Sequence, residues 1–272
     1  MTRLASILVA LALIPGCSLY FNGDGAGGGD DLGGGTAPDP TPSGSFTLRK
    51  TKAIAGELPV VGMDSDHAGG LWIAYRVQTG DYYALADVRV VHLDAAGTKV
   101  AEFKYNDEYT QVSGLAFSGD AVWLNYGATG TGNNHIRKLD PVTGARIGSF
   151  ATEIGIVDLD VHGDELRLSN LWNQVIAIDR TTGGELWRTP ITSFEDSTQR
   201  GIASTSDDRL WIASSATNHI TLLDAAHNVI GSGVTSLLDG QWNGIDGLNL
   251  AWDGDELLLM VNNQIAWLSP QS

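Results

Sequence analysis

The sequence predicts an all-β fold: a β-propeller of five four-stranded blades, closed by an N-terminal strand. Three observations predict it. First, a short apolar strand core following a polar turn recurs as Leu71-Trp72-Ile73, Val122-Trp123-Leu124, Leu166-Arg167-Leu168, Leu210-Trp211-Ile212 and Leu257-Leu258-Leu259. Second, an apolar residue before a polar turn residue recurs independently as Leu93-Asp94, Leu139-Asp140, Ile178-Asp179, Leu223-Asp224 and Leu268-Ser269. Both series repeat at about 45 residues, the length of a four-strand blade. Third, the last unit ends without a fourth strand, while Ser45 to Lys52 (SFTLRKTK) precedes the first inner strand and has no unit of its own. Pairing the two removes a bare sheet edge that would template aggregation. Six or seven blades need more chain or irregular units and rank second.

One unit shows how each strand is specified. Ile156 to Val161 is the inner strand, and Gly163-Asp164 turns the chain into Glu165 to Leu171. Gln174 to Ile178 is the third strand and Glu185 to Thr189 the fourth, joined by Asp179-Arg180-Thr181-Thr182-Gly183. The Asp carboxylate can accept backbone amides two residues on, and Gly supplies positive φ. Asp94-Ala95-Ala96-Gly97 and Asp140-Pro141-Val142-Thr143-Gly144 repeat this chemistry. After Asp224, Asn228 is expected to take the place of Gly, since Asn tolerates positive φ.

The segment before the repeats is an address and a tether. Arg3 precedes the apolar run Leu4 to Ile14, which is shorter than the roughly 20 residues a spanning helix needs and suits a signal-peptide h-region. Ile14-Pro15-Gly16-Cys17 follows and holds the sole cysteine. This resembles the lipobox of bacterial lipoproteins, matching at Ile14, Gly16 and Cys17 and departing at Pro15. The resemblance implies cleavage before Cys17, acylation of its thiol and new amino group, and, with Ser18 next, outer-membrane sorting. The domain boundaries are then 1–16 for the signal, 17–45 for the lipidated cysteine and tether, and 46–272 for the propeller. Asn22 to Ser45 is Gly/Asp/Pro-rich and buries too little apolar surface to order itself, so a coil with a reach of roughly 25–30 Å is expected.

Composition narrows the function classes. Acids outnumber bases 32 to 16, a net charge of −16, which excludes general nucleic-acid binding and adsorption to anionic lipid. The membrane is therefore expected to be reached through a lipid anchor only. One cysteine excludes an internal disulfide and a multi-thiolate zinc site. No P-loop, nucleotide-type glycine motif or Gly-x-Ser-x-Gly elbow is present, and the six histidines are scattered without ligand spacing. A monomer is expected.

Inner strands line a propeller's channel, so their inward residues are the candidate site. Aligning Gly62-Met63-Asp64, Gly114-Leu115-Ala116, Asp158-Leu159-Asp160, Gly201-Ile202-Ala203 and Gly247-Leu248-Asn249 places Asp64, Asp158, Asp160 and Asn249 inward. Such oxygens suit a hard cation such as Ca²⁺; equally, they can hold backbone amides of neighbouring blades. No cofactor is otherwise expected. Trp72, Trp123 and Trp211 share one register and are expected to pack between blades. Trp172 and Trp242 fall in or beside loops, where they are candidates for stacking on a sugar or peptide.

Two family resemblances follow from these residues. Asp179-Arg180-Thr181-Thr182-Gly183-Gly184-Glu185-Leu186-Trp187 resembles pyrroloquinoline-quinone-type and YVTN-type propeller repeats, a structural likeness that implies no cofactor. Tyr109-Thr110-Gln111-Val112-Ser113-Gly114-Leu115, with His135-Ile136-Arg137-Lys138-Leu139-Asp140-Pro141-Val142-Thr143-Gly144, partly resembles one blade of the five-bladed glutaminyl cyclotransferases. That family's acidic segments correspond here to Gln199-Arg200-Gly201 and Asn243-Gly244-Ile245-Asp246, so the general acid/base carboxylate is missing or moved. The leading expectation is a noncatalytic binding or scaffolding module serving an envelope protein or small ligand. A channel-centred enzyme or metal-binding propeller is the alternative, and a purely structural envelope protein a third class.

Overall fold

The computed structural model describes residues 18–20, 45–53, 59–77, 87–106, 111–127, 134–152, 155–191, 200–214, 219–234, 248–261 and 264–270. β1 (Ser18–Tyr20) and β2 (Ser45–Ala53) come first in the chain. The first blade is β3 (Val60–Ser65), β4 (Leu71–Val77), β5 (Asp87–Leu93) and β6 (Lys99–Tyr105). The second is β7 (Gln111–Phe117), β8 (Val122–Gly127), β9 (Asn134–Leu139) and β10 (Arg146–Thr152). The third is β11 (Ile156–His162), β12 (Glu165–Asn170), β13 (Gln174–Asp179) and β14 (Glu185–Pro190). The fourth is β15 (Arg200–Ser204), β16 (Leu210–Ser214), β17 (His219–Leu223) and β18 (Val229–Val234). The fifth joins both ends of the chain: β19 (Asn249–Asp253), β20 (Glu256–Val261) and β21 (Gln264–Pro270) are completed by β2.

These are five antiparallel four-stranded blades arranged in a ring. The inner strands β3, β7, β11, β15 and β19 lie side by side, and β19 returns to β3. β2 runs antiparallel to β21 from Phe46↔Pro270 to Ala53↔Gln264, so the chain's own start closes the last blade. β1 adds a short edge strand beyond β2, with Ser18 opposite Thr47. It falls within the 17–45 segment read as a tether; the signal segment, Cys17 and 21–44 lie outside the described residues.

The core explains why the blades stack. Trp72, Val90 and Phe103 of the first blade pack with Leu115, Leu124 and Leu139 of the second. Trp123 and Ile136 of the second pack with Leu166, Leu168 and Ile178 of the third. Equivalent clusters join the third blade to the fourth, the fourth to the fifth, and the fifth back to the first. Each cluster draws on two blades, so no blade buries its apolar faces alone. Trp72, Trp123 and Trp211 are buried in these layers, in the packing role their shared register indicates.

The Asp turns contribute a second interblade contact. Gly144 and Gly183 have φ of 69° and 75°, and each lies against a phenylalanine ring of the preceding blade, Phe103 and Phe150 respectively. A Cβ on either glycine would overlap that ring. In the fourth blade the left-handed residue is His227 (φ 65°), not Asn228 as the sequence reading expected. The turn there has the shorter form of Asp94-Ala95-Ala96-Gly97, with the His227 amide donating to the Asp224 carbonyl at 2.8 Å. The imidazole lies 4.1 Å, ring centre to ring centre, from Trp187 of the third blade.

Candidate functional site

Where the inner strands converge, side chains have almost no room. A Cβ on Gly62 would lie 2.6 Å from the Leu115 amide nitrogen, and one on Gly201 2.8 Å from that of Leu250. Glycine lets the neighbouring backbone approach at these positions. Asp158 occupies the same level in the third blade, opposite Ser169 as Gly201 is opposite Ala213.

Strand pairing corrects one alignment. Asn249 lies opposite Met260, and Ala251 opposite Leu258, the fifth-blade counterpart of Trp72, Trp123 and Trp211. Asn249 therefore shares the level of Gly62, Asp158 and Gly201, two residues from the level of Asp64 and Asp160 to which the sequence reading assigned it. The cause is that Gly247-Leu248-Asn249 imitates the triplets of the other inner strands, whereas pairing makes Asn249-Leu250-Ala251 their counterpart.

The inward carboxylates follow one rule: each accepts the amide one residue past its counterpart in the next blade. Asp64 takes the Phe117 amide at 2.7 Å, Asp158 that of Ile202 at 3.1 Å, and Asp160 that of Ser204 at 2.8 Å. An inner strand has no strand on its axial side, and burial keeps water from its free amides; these carboxylates supply the missing acceptors. Asp158 does more. Its Oδ1 accepts from Asn249 Nδ2 at 3.1 Å, linking the third blade to the fifth, which is not its neighbour in the ring. Asn249 is buried, and its Oδ1 has no partner among the described residues.

Burial pushes the Asp158 carboxyl well above the usual carboxylate range. Burial and then the charge of Asp160 do the same to Asp64, and burial raises Asp160. The structure thus joins Asp158 to Asn249 directly and places Asp64 and Asp160 within electrostatic reach of each other. Among the described residues, no three His, Cys, Asp or Glu side chains form a group fit to hold a metal ion.

Sequence reasoning missed Arg167. It stands where three other blades carry tryptophan, lies buried, and donates to Glu165 at 3.0 Å, Ser204 at 3.2 Å and Asp208. Its guanidinium also faces the Trp187 ring at 5.5 Å. The break in the tryptophan series was the available signal. This cluster latches the third blade to the fourth, with two carboxylates compensating the buried cation.

Trp172 lies in the β12–β13 turn and is 54% exposed; among the described residues it is the one aromatic in the exposed apolar set. Its backbone is firmly held. Asn170 Oδ1 accepts the amides of Trp172 and Gln174, each at 3.0 Å, and the Leu171 amide donates to the Gly155 carbonyl at 2.9 Å. Trp242 lies outside the described residues. Tyr109, Thr110, Gln199 and Asn243 to Asp246, which carry parts of the cyclotransferase resemblance, also lie outside the described residues.

No family model matches the chain, and no curated protein matches its sequence. Among solved structures it is similar to the glutaminyl cyclase of Myxococcus xanthus, with a TM-score of 0.60 and 11% identity over 83% of this chain and 96% of that one. It is also similar to virginiamycin B lyase from Staphylococcus aureus (TM-score 0.48, 14% identity, 82% and 99% of the two chains). A third is BamB from Moraxella catarrhalis (TM-score 0.40, 15% identity, 85% and 95%). At 11% identity the likeness to the glutaminyl cyclase is one of fold alone; the five-bladed β-propeller is seen in this chain's own strand pairing.

Proposed function

We propose that this chain is a noncatalytic binding propeller, secreted and held at the cell envelope by acyl chains on Cys17. The observation that carries the binding reading is the half-exposed indole of Trp172, set on a turn whose backbone is hydrogen-bonded through Asn170 and Gly155. An aromatic face presented this way suits the flat face of a sugar ring or a peptide side chain. The axial carboxylates support the noncatalytic part, because each holds an amide of the next blade. A general acid/base would need that carboxylate free to meet a substrate proton. The glutaminyl cyclase shares the fold, but the acidic segments of the cyclotransferase resemblance are altered here.

Two experiments test the reading. Soluble muropeptides, which carry both sugar and peptide, are expected to quench tryptophan fluorescence saturably, and Trp172→Ala to weaken that response at least tenfold. An unchanged titration in the variant refutes the assignment of Trp172, and 5-oxoproline formed from a glutaminyl peptide above the uncatalysed rate refutes the noncatalytic reading. For the anchor, the wild-type chain is expected to enter the detergent phase on Triton X-114 partitioning and Cys17→Ser the aqueous phase, since only acyl chains supply the membrane affinity. Equal partitioning would end the lipoprotein reading. β1 begins at Ser18 and pairs with β2 of the fifth blade.

A further inference from the structure

An outer strand exposes backbone groups that could pair with another chain, and folds guard such edges with charge, proline or a covering segment. The five outer strands of this ring are charged in different ways. On β6, Lys99 and Lys104 stand with Glu102, which pairs with Lys99 and, at 2.7 Å, with Arg89 of β5. On β14, Glu185 pairs with Arg188 at 2.7 Å, and the strand ends on Pro190. β10 carries one charged residue, Arg146, and β18 none. β2 alone is strongly basic: Ser45–Ala53 holds Arg49, Lys50 and Lys52 and no acid, in a chain whose net charge is −16.

All three basic side chains are exposed. Arg49 lies 3.7 Å from Glu256 of β20, an exposed pair of little strength, and Lys50 lies over the Trp267 ring. The same edge already takes an added strand. β1 pairs antiparallel with its first residues, from Ser18↔Thr47 to Tyr20↔Ser45. That pairing stops at Thr47. Among the described residues, the stretch from Leu48 to Ala53, with a bulge at Arg49, pairs with β21 on one side and with no strand on the other. The basic residues therefore all fall on the part of the edge that β1 leaves open.

Charge on an edge selects its occupant by sign. A second copy of β2 would set like charges across the new pairing, which is destabilising, whereas an acidic strand would set opposite charges there. We propose that the outer edge of β2 from Leu48 to Ala53 is a strand-addition site for an extended acidic segment of a partner protein. Its backbone would continue the sheet of the fifth blade, and its carboxylates would meet Arg49, Lys50 and Lys52. The site lies on a different blade from Trp172 and is independent of the reading given to that residue.

The test uses the full chain in mild detergent and a rhodamine-labelled peptide, acetyl-TEVEVET-amide. Two further peptides serve as controls. In one, lysine replaces each glutamate; the other keeps the glutamates but is N-methylated at alternate residues, so it retains its charge and cannot form strand hydrogen bonds. Fluorescence anisotropy is expected to show saturable binding of the acidic peptide and at least tenfold weaker binding of each control. Hydrogen exchange is expected to slow at amides within 48–53 and to stay unchanged on β6, β10, β14 and β18. The double variant Arg49→Ala/Lys52→Ala is expected to bind the acidic peptide at least fivefold more weakly; if it does not fold, the N-methylated peptide on the wild-type chain decides the matter. Absence of acidic-peptide binding, equal binding of either control, protection on another outer strand, or unchanged affinity in the folded variant each overturns the proposal.

Discussion

A chain that begins at residue 54 is expected to lose cooperative folding, whereas one that begins at residue 45 keeps it. β2 is the outer strand of the fifth blade, and β21 would be left with an unpaired edge from Gln264 to Pro270. That edge flanks buried Ile265, Trp267 and Leu268, so its exposure invites intermolecular strand pairing. Losing β2 also removes Leu48 from the cluster between the fourth and fifth blades and Lys50 from the face of the Trp267 ring, 4.3 Å away. It removes as well the Lys52 ammonium, which lies against Gly97 of the first blade. Size-exclusion chromatography and near-ultraviolet circular dichroism of the 45–272 and 54–272 chains check this. The short chain is expected to aggregate and to lose its aromatic signal, and a synthetic 45–53 peptide added in trans to restore part of it. A monomeric short chain with an unchanged Tm would show that the ring does not depend on this closure.

The second large effect is expected at Asp158, where the two obvious substitutions should act in opposite ways. Asp158→Ala leaves the Ile202 amide and the Asn249 side chain without their acceptor in a buried site. Each orphaned donor costs about 1–3 kcal/mol, so a loss of about 3 kcal/mol or more is expected, roughly 6–12 °C in Tm. Asp158→Asn keeps an acceptor for Ile202. Its new amide can donate to Asn249 Oδ1, the atom now unpaired, once the Asn249 amide turns over.

The pH dependence separates these effects. Burial raises the folded pKa of Asp158 above its unfolded value of about 4, so its contribution to stability is complete below that pH and is lost as pH rises through the folded value. Asp64 and Asp160 shift the same way. Glu102 runs the opposite course: Arg89 and Lys99 lower it to about 2, so its contribution is present above the unfolded value and is lost as pH falls toward 2. Urea denaturation between pH 5 and 9 is therefore expected to show Asp158→Asn gaining on the wild type as pH rises. Parallel profiles would mean that Asp158 does not titrate over this range in the folded protein.

Much of the fold was legible in the residues, and the site was legible in part. Recurrent tryptophans and Asp turns announce repeated strands because strand and turn chemistry are local. The exchange of Asn228 for His227 was not legible, because what holds His227 is a ring from the preceding blade. Asp64, Asp158 and Asp160 were identified as inward residues by alternation alone. Their bonds to Phe117, Ile202 and Ser204 depend on where one inner strand lies against the next, which alternation does not specify. The level of Asn249 was missed for the same reason, since a register two residues away preserves alternation and differs only in pairing.

By itself, then, the sequence determined the number of blades, their closure by the amino-proximal strand, and which side chains face the axis. These follow from periods of two and of about 45 residues, which any reading of apolar and turn residues recovers. Only the tertiary structure decided that the axial carboxylates hold blades together, that Asp158 reaches across the axis to Asn249, and that Arg167 latches the third blade to the fourth. Each of these depends on the distance between residues of different blades, and that distance is set by the packing of whole sheets rather than by any local pattern.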